Sequence, residues 1–171
     1  IKPETIHLCL DFLSNRIIPN MAIYFGEFER PKYEVYLELI KHARPKHIEY
    51  SSQQMIVRKD LIEFLIQLSE YVRSIFIDMR PQMKMSALIN IADFTREMIS
   101  RKCEKLEISL ECEMCSISLT DIERLTKVLN SSNKNVAISA LTSSSQMSTQ
   151  IGTYRVNIFG GNKAIIRKLD F

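Results

Sequence analysis

Along the first hundred residues, apolar side chains recur every three or four positions. Ile6, Leu10, Leu13 and Ile17 keep that spacing after Pro3 and Glu4, which predicts a helix ended by Pro19. The aromatic stretch Asn20 to Glu29 reads as a loop laid across the core. Pro31 opens a second helix to about Ala43, buried through Val35 and Leu39 and stopped at Arg44-Pro45. Asp60 and Glu63 resemble a capping pair ahead of a wide stripe of Leu61, Leu65, Leu68, Val72, Ile75, Phe76 and Met79. That stripe predicts one long helix ended by Pro81. Met85 to about Lys102 reads as a further helix through Leu88, Ile91, Ala92, Met98 and Ile99, with a break near Asp93.

The texture then changes. LEISLECEM (Leu106 to Met114) alternates strictly between apolar and polar, the pattern of a half-buried strand. The phase slips after Met114, which places a bulge or bend near Cys115. Thr120-Asp121-Ile122-Glu123 has the form of a capping box for a helix to about Leu129. Val136 to Leu141 reads as a strand, and Thr153 to Phe171 reads as a hairpin turning at Gly160-Gly161-Asn162. Tyr154, Val156 and Ile158 are expected to face the core. The fold expected is therefore α+β: an N-terminal cluster of four to five helices wrapped by a small C-terminal antiparallel sheet. Residues 1–171 read as one domain, helical to about 105 and strand-rich from about 106. No internal repeat is visible, and TSSSQMST (Thr142 to Thr149) reads as a flexible loop. The absence of an initial Met suggests a piece of a longer polypeptide.

Composition narrows the class. At 171 residues, 46% hydrophobic and 25% charged, the chain is long and apolar enough for a real core. Its apolar runs are short and broken by charge, so no membrane span is expected. Glu4, His7 and Asp11 stand where a signal peptide would need an apolar run. The net charge of +3 is spread evenly: Lys and Arg outnumber Asp and Glu by 9 to 8 in residues 1–60, 7 to 6 in 61–105 and 7 to 6 in 106–171. Nucleic-acid binding would therefore need a basic face assembled by folding.

Chemistry-bearing motifs are sparse. Cys9, Cys103, Cys112 and Cys115 are too few for a disulfide scaffold and read as reduced thiols. Cys112 and Cys115 have the C-x-x-C spacing that can share a metal or a redox cycle. They sit in a strand pattern and not at a helix N-terminus, so no metal or cofactor is expected there. His7, His42 and His47 pair with no nucleophile or carboxylate pattern. No Walker A, G-x-G-x-x-G, G-x-S-x-G or H-E-x-x-H motif occurs. The densest cationic runs are Lys84, Arg96, Arg101, Lys102 and Lys105, and on the hairpin Arg155, Lys163, Arg167 and Lys168. Folded together, the two sets would make one positive face for phosphates or an acidic partner.

The ending RVNIFGGNKAIIRKL after a polar SSQMSTQ loop resembles a segment of the C-terminal host-adaptation domain of the orthomyxovirus cap-binding polymerase subunit family. RKDLIEFLIQLSEYVRSIFIDMRPQMKMSALINIADF is similar in length and apolar phase to that family's long helix and following segment. KPETIHLCLDFLSNRI is similar to its first helix. The strand LEISLECEM and the helix at Thr120 would be additions relative to influenza, and Asp93 stands where Pro would be expected, which points to a distant, non-influenza member.

The resemblance implies a non-catalytic domain of a viral RNA-dependent RNA polymerase, active in transcription and replication in the host nucleus and carried in the virion. Its implied partners are the other polymerase subunits, RNA and host acidic leucine-rich-repeat nuclear phosphoproteins. It puts Asn90 at the host-adaptation position. The alternative reading is a protein-interaction module of a cellular helical adaptor, and a third is a small zinc or thiol protein built on Cys112 and Cys115.

Overall fold

The computed structural model describes residues 13, 16, 18–25, 32–52, 59–79, 89–111, 115–132, 134–143, 152–160 and 165–169. Five stretches in it begin with a polar residue and carry apolar side chains at their second and fourth positions. They are β1 (Asn20–Phe25), β2 (His47–Ser52), β3 (Ser74–Met79), β5 (Lys105–Glu111) and β7 (Asn135–Ser143). They pair in parallel in that order, with Asn20, His47, Ser74, Lys105 and Asn135 side by side. The strands therefore restart after 27, 27, 31 and 30 residues, reading from Asn20 to His47, Ser74, Lys105 and Asn135. β8 (Thr153–Phe159) and β9 (Ile165–Leu169) extend the same sheet antiparallel, giving seven strands in the order β1-β2-β3-β5-β7-β8-β9.

Helices fill the intervals: α1 (Tyr33–Ala43), α2 (Lys59–Leu68), α3 (Ile91–Ser100) and α4 (Leu119–Asn130). Parallel strands taken in sequence order through right-handed crossovers put every described helix on one side of the sheet. The packing agrees, since α1 touches α2, α2 touches α3 and α3 touches α4. One parity of each strand is buried beneath this layer: Ile23 and Phe25, Ile48 and Tyr50, Ile75 and Ile77, Leu106 and Ile108, Val136 and Ile138, Tyr154 and Val156. The core joins these to Leu37, Ile40, Leu61, Leu65, Met98, Ile99, Leu125 and Leu129. Aromatic rings close the β1 end, where Tyr33 stacks on Phe64 at 4.8 Å and Phe25 meets Tyr50 at 5.7 Å.

Local chemistry sets the turns. Arg44 ends α1 in the left-handed conformation (φ 45°), its N–H donating to Ile40 O at 2.9 Å. At the leading edge of the sheet one backbone device recurs: Ser74 N–H donates to Lys46 O (3.0 Å), Lys105 N–H to Arg73 O (2.9 Å) and Asn135 N–H to Glu104 O (3.0 Å). A separate short parallel pair, β4 (Ile89–Asn90) with β6 (Cys115–Ser116), leads into α3 and α4. Asn90 caps α3 by accepting the Asp93 N–H at 3.0 Å. Ser118 caps α4 by accepting the Asp121 N–H at 3.1 Å, and the Asp121 carboxylate accepts the Ser118 N–H at 3.3 Å.

Several expectations are corrected. The protein is α/β with one seven-stranded mixed sheet, not a helical cluster wrapped by a small antiparallel sheet. The Asn20 loop contains β1. The long helix predicted from Asp60 to Pro81 is α2 followed by β3, because the helical ladder gives way to turn bonds at Glu70 and Tyr71 and SIFIDM alternates in burial with period two. The parallel strands restart at 27 to 31 residues, a regularity not read from the sequence. α4 is capped at Ser118 and not at Thr120. Helix α1, the strands β5, β7 and β8–β9, and the burial of Tyr154, Val156 and Ile158 are as expected. The predicted helix at residues 3–17 falls mostly outside the described residues, as do the Gly161-Asn162 turn and the TSSSQMST loop from Ser144 on.

Candidate functional site

A parallel sheet is normally covered on both faces, because its crossovers place helices on each. Here no described helix covers the second face. Along β2 it presents Glu49 and Ser51, along β3 Phe76 and Asp78, along β5 Glu107 and Ser109, along β7 Ala137 and Ser139, and along β8 Arg155, Asn157 and Phe159. Glu49, Glu107, Ser139, Arg155 and Phe159 are exposed, and the others are half-buried. Tyr24 on β1 (59% exposed), Phe159 (44%) and Ile165 (44%) stand out from this face with their rings or side chains largely in water.

Residue size shapes the surface. Ser109, Ala137 and Ser139 are small and lie side by side, with Phe76 on β3 to one side and Phe159 on β8 to the other. They leave a shallow groove of about 240 Å³, lined also by Glu107 and Asn157. Phe76 and Phe159 occupy one cross-strand row three strands apart, about 14 Å at the usual strand separation. The groove has an apolar wall at each end and hydroxyls in its floor. Among the described residues no Cys or His lines it, and none of the His, Cys, Asp and Glu groups there could hold a metal ion. The arrangement suits binding an apolar side chain.

Charge on the face is divided. Glu49 and Glu107 share the row of Phe76, and Asp78 lies one row on. At the far end Arg155 and Arg167 stand directly opposite each other across β8 and β9. Both are exposed. Lys105 lies on the open face at the leading row, separated from Arg155 by two strands and three same-face rows, roughly 22 Å.

The basic residues singled out in the sequence are therefore dispersed. Arg96 pairs with Asp93 at 2.7 Å on α3. Arg101, after α3, pairs with Glu70 and with Glu97, the latter at 3.6 Å. Lys134 donates to the Ile99 and Arg101 carbonyls, closing the C-terminus of α3. Lys102 is exposed beside this cluster, and Lys168 is opposite Tyr154, with its methylenes against Gly152. Arg101 thus sits beyond the leading edge of the sheet and Arg167 near its trailing edge. Lys84, Lys163 and Cys112 lie outside the described residues, and of Cys115 only the backbone of β6 is described.

Asn90 is half-buried and structural in its contacts. Besides capping α3, its amide donates to the Asp121 carboxylate. The Ser118 hydroxyl, with the Ser118 N–H and Asn90 assisting, holds the Asp121 carboxyl below its ordinary value. Cys103 is buried, its thiol donates to Lys105 O at 2.9 Å, and burial pushes its pKa up. Such a thiol is inert. Phe76 and Phe159 escaped sequence reasoning, although strand parity places Phe159 with Arg155 and Asn157. Comparison with protein-family models, with curated proteins and with solved structures finds no match to this chain.

Proposed function

We propose that this domain is a non-enzymatic protein-recognition module that binds through the open face of its sheet. The observation that carries this reading is the uncovered face of a parallel sheet, bearing a groove between Phe76 and Phe159. An uncovered parallel face with exposed aromatic side chains is a surface suited to a partner. The single-layer arrangement supports the same reading, since stacked strand–helix units build an extended platform.

RNA is served less well by this surface. A phosphate chain crossing the face would run from Lys105 over Glu49, Asp78 and Glu107 before reaching Arg155 and Arg167. Arg96 and Arg101 already face carboxylates. The orthomyxovirus resemblance implied helices followed by a wrapping hairpin, an architecture this fold does not share. Its non-catalytic, partner-binding character is what remains in the present reading. No described helix is long and apolar enough to cross a membrane.

The test pairs a displayed random-peptide selection with single-stranded RNA titration. Wild-type protein should enrich peptides that a doubly substituted Ala137→Arg, Ser139→Arg protein does not retain. RNA should bind weakly. Tight RNA binding that falls steeply between about 50 and 200 mM salt, with no peptide enriched, would overturn the proposal.

A further inference from the structure

The Arg155–Arg167 pair is an anomaly in its own sheet. Like charges directly opposite one another on an antiparallel pair repel and destabilise it. Among the described residues neither has an ion pair. Edge strands do carry cations to deter pairing with other chains. That explains Arg167 and Lys168 on β9, the last strand of the sheet. It leaves Arg155 unexplained, because β8 is paired on both sides.

The surroundings supply a reason. Two residues from Arg155 on the same face is Asn157, opposite Ile165, and two further is Phe159 at the groove wall. Same-face neighbours along a strand are about 7 Å apart. The cationic pair therefore adjoins an apolar lip of Ile165 and Phe159, and beyond the lip lies the groove. The acidic side chains are at the β3 end, with Glu107 lining the groove between Phe76 and Ala137 and Glu49 beyond Phe76. A ligand with one anionic end and one apolar anchor can lie in a single direction: its carboxylates toward the hairpin, its anchor between Phe76 and Phe159.

We infer that the open face binds an acidic peptide segment in which an aromatic or aliphatic anchor precedes or follows Asp or Glu by about four residues. This inference rests on the protein-recognition reading above and specifies its partner. The spacing follows from the sheet. The groove floor and the Arg155–Arg167 pair are about two strands and one to two rows apart, roughly 14 Å. An extended chain covers that distance in about four residues. Guanidinium groups suit carboxylates because their planar donors can bind both oxygens at once.

A blocked seven-residue peptide tests this, with Phe at its second position, Glu at its sixth and seventh, and Ser or Gly elsewhere. Its binding to the full 171-residue chain is followed by fluorescence anisotropy. Arg155→Glu combined with Arg167→Glu should weaken it at least tenfold. The same protein should regain affinity for a peptide carrying Lys in place of both Glu residues, an exchange that a merely misfolded variant could not show. Phe159→Ala should weaken both cognate pairs. Equal binding of the acidic peptide to wild type and to the charge-reversed protein would overturn the inference, as would failure of the exchanged pair to recover. If selected peptides remain sensitive to Ser139→Arg while indifferent to charge at 155 and 167, the inference falls and the wider protein-recognition reading stands.

Discussion

Ser118 shows how much one side chain can settle. Its hydroxyl accepts the Asp121 N–H at the start of α4, and Asp121 returns a bond to the Ser118 N–H and receives the Asn90 amide. Two helix starts are thereby tied together, since Asn90 also caps α3. Ser118→Ala should cost about 1 kcal/mol of stability at neutral pH. The pH dependence has a definite sign. The Asp121 carboxyl is held below its ordinary value of 3.8, so its contribution is present above that value and is lost as pH falls through the lower folded value. In urea unfolding, Asp121→Asn should be less stable than wild type at pH 7, and the gap should close in acid below the ordinary carboxylate value. A gap unchanged by acid would mean that the carboxylate's charge contributes nothing there.

At the scale of elements, β3 is the instructive case. SIFIDM admits two readings from the same letters. As a helix, Ile75, Phe76 and Met79 face the core and Ile77 does not. As a strand, Ile75, Ile77 and Met79 face it and Phe76 is on the other side, which is what burial shows. Ile77→Ala should cost about 2–5 kcal/mol, as for a fully buried aliphatic side chain, whereas Phe76→Ser should cost well under that because its ring lines the open groove. Chemical denaturation of the two variants decides between them, and the helical reading requires the opposite order.

The legibility of the sequence followed element length. β5 and β7 alternate over seven and nine residues and stand out. β1, β2 and β3 have six residues each, too few to defeat a helical stripe running in from a neighbouring helix. The regular strand spacing stayed hidden because the strands share only apolar second and fourth positions, and their starts are 27 to 31 residues apart. The groove could be read only once strand order was known, since it joins Phe76 on β3 to Phe159 on β8 across more than eighty residues of chain.

For the whole molecule, sequential parallel pairing is the fact from which the rest follows. It puts the helices on one side, leaves the other side of the sheet in water, and divides the cations between a helix-side cluster at Arg101 and the hairpin pair at Arg155 and Arg167. Adjacent positions on β7 test this directly, because Ser139 is on the open face and Ala140 is buried beneath the helices at 1% exposure. In a background with Cys9, Cys112 and Cys115 replaced by Ser, Ser139→Cys and Ala140→Cys are treated with a maleimide under native conditions. The fold described here predicts that Cys at 139 reacts as fast as a free small thiol, while Cys at 140 reacts only as fast as the chain unfolds. Protection at 139 equal to that at 140 would mean that both faces are covered, and would contradict the open face on which binding depends.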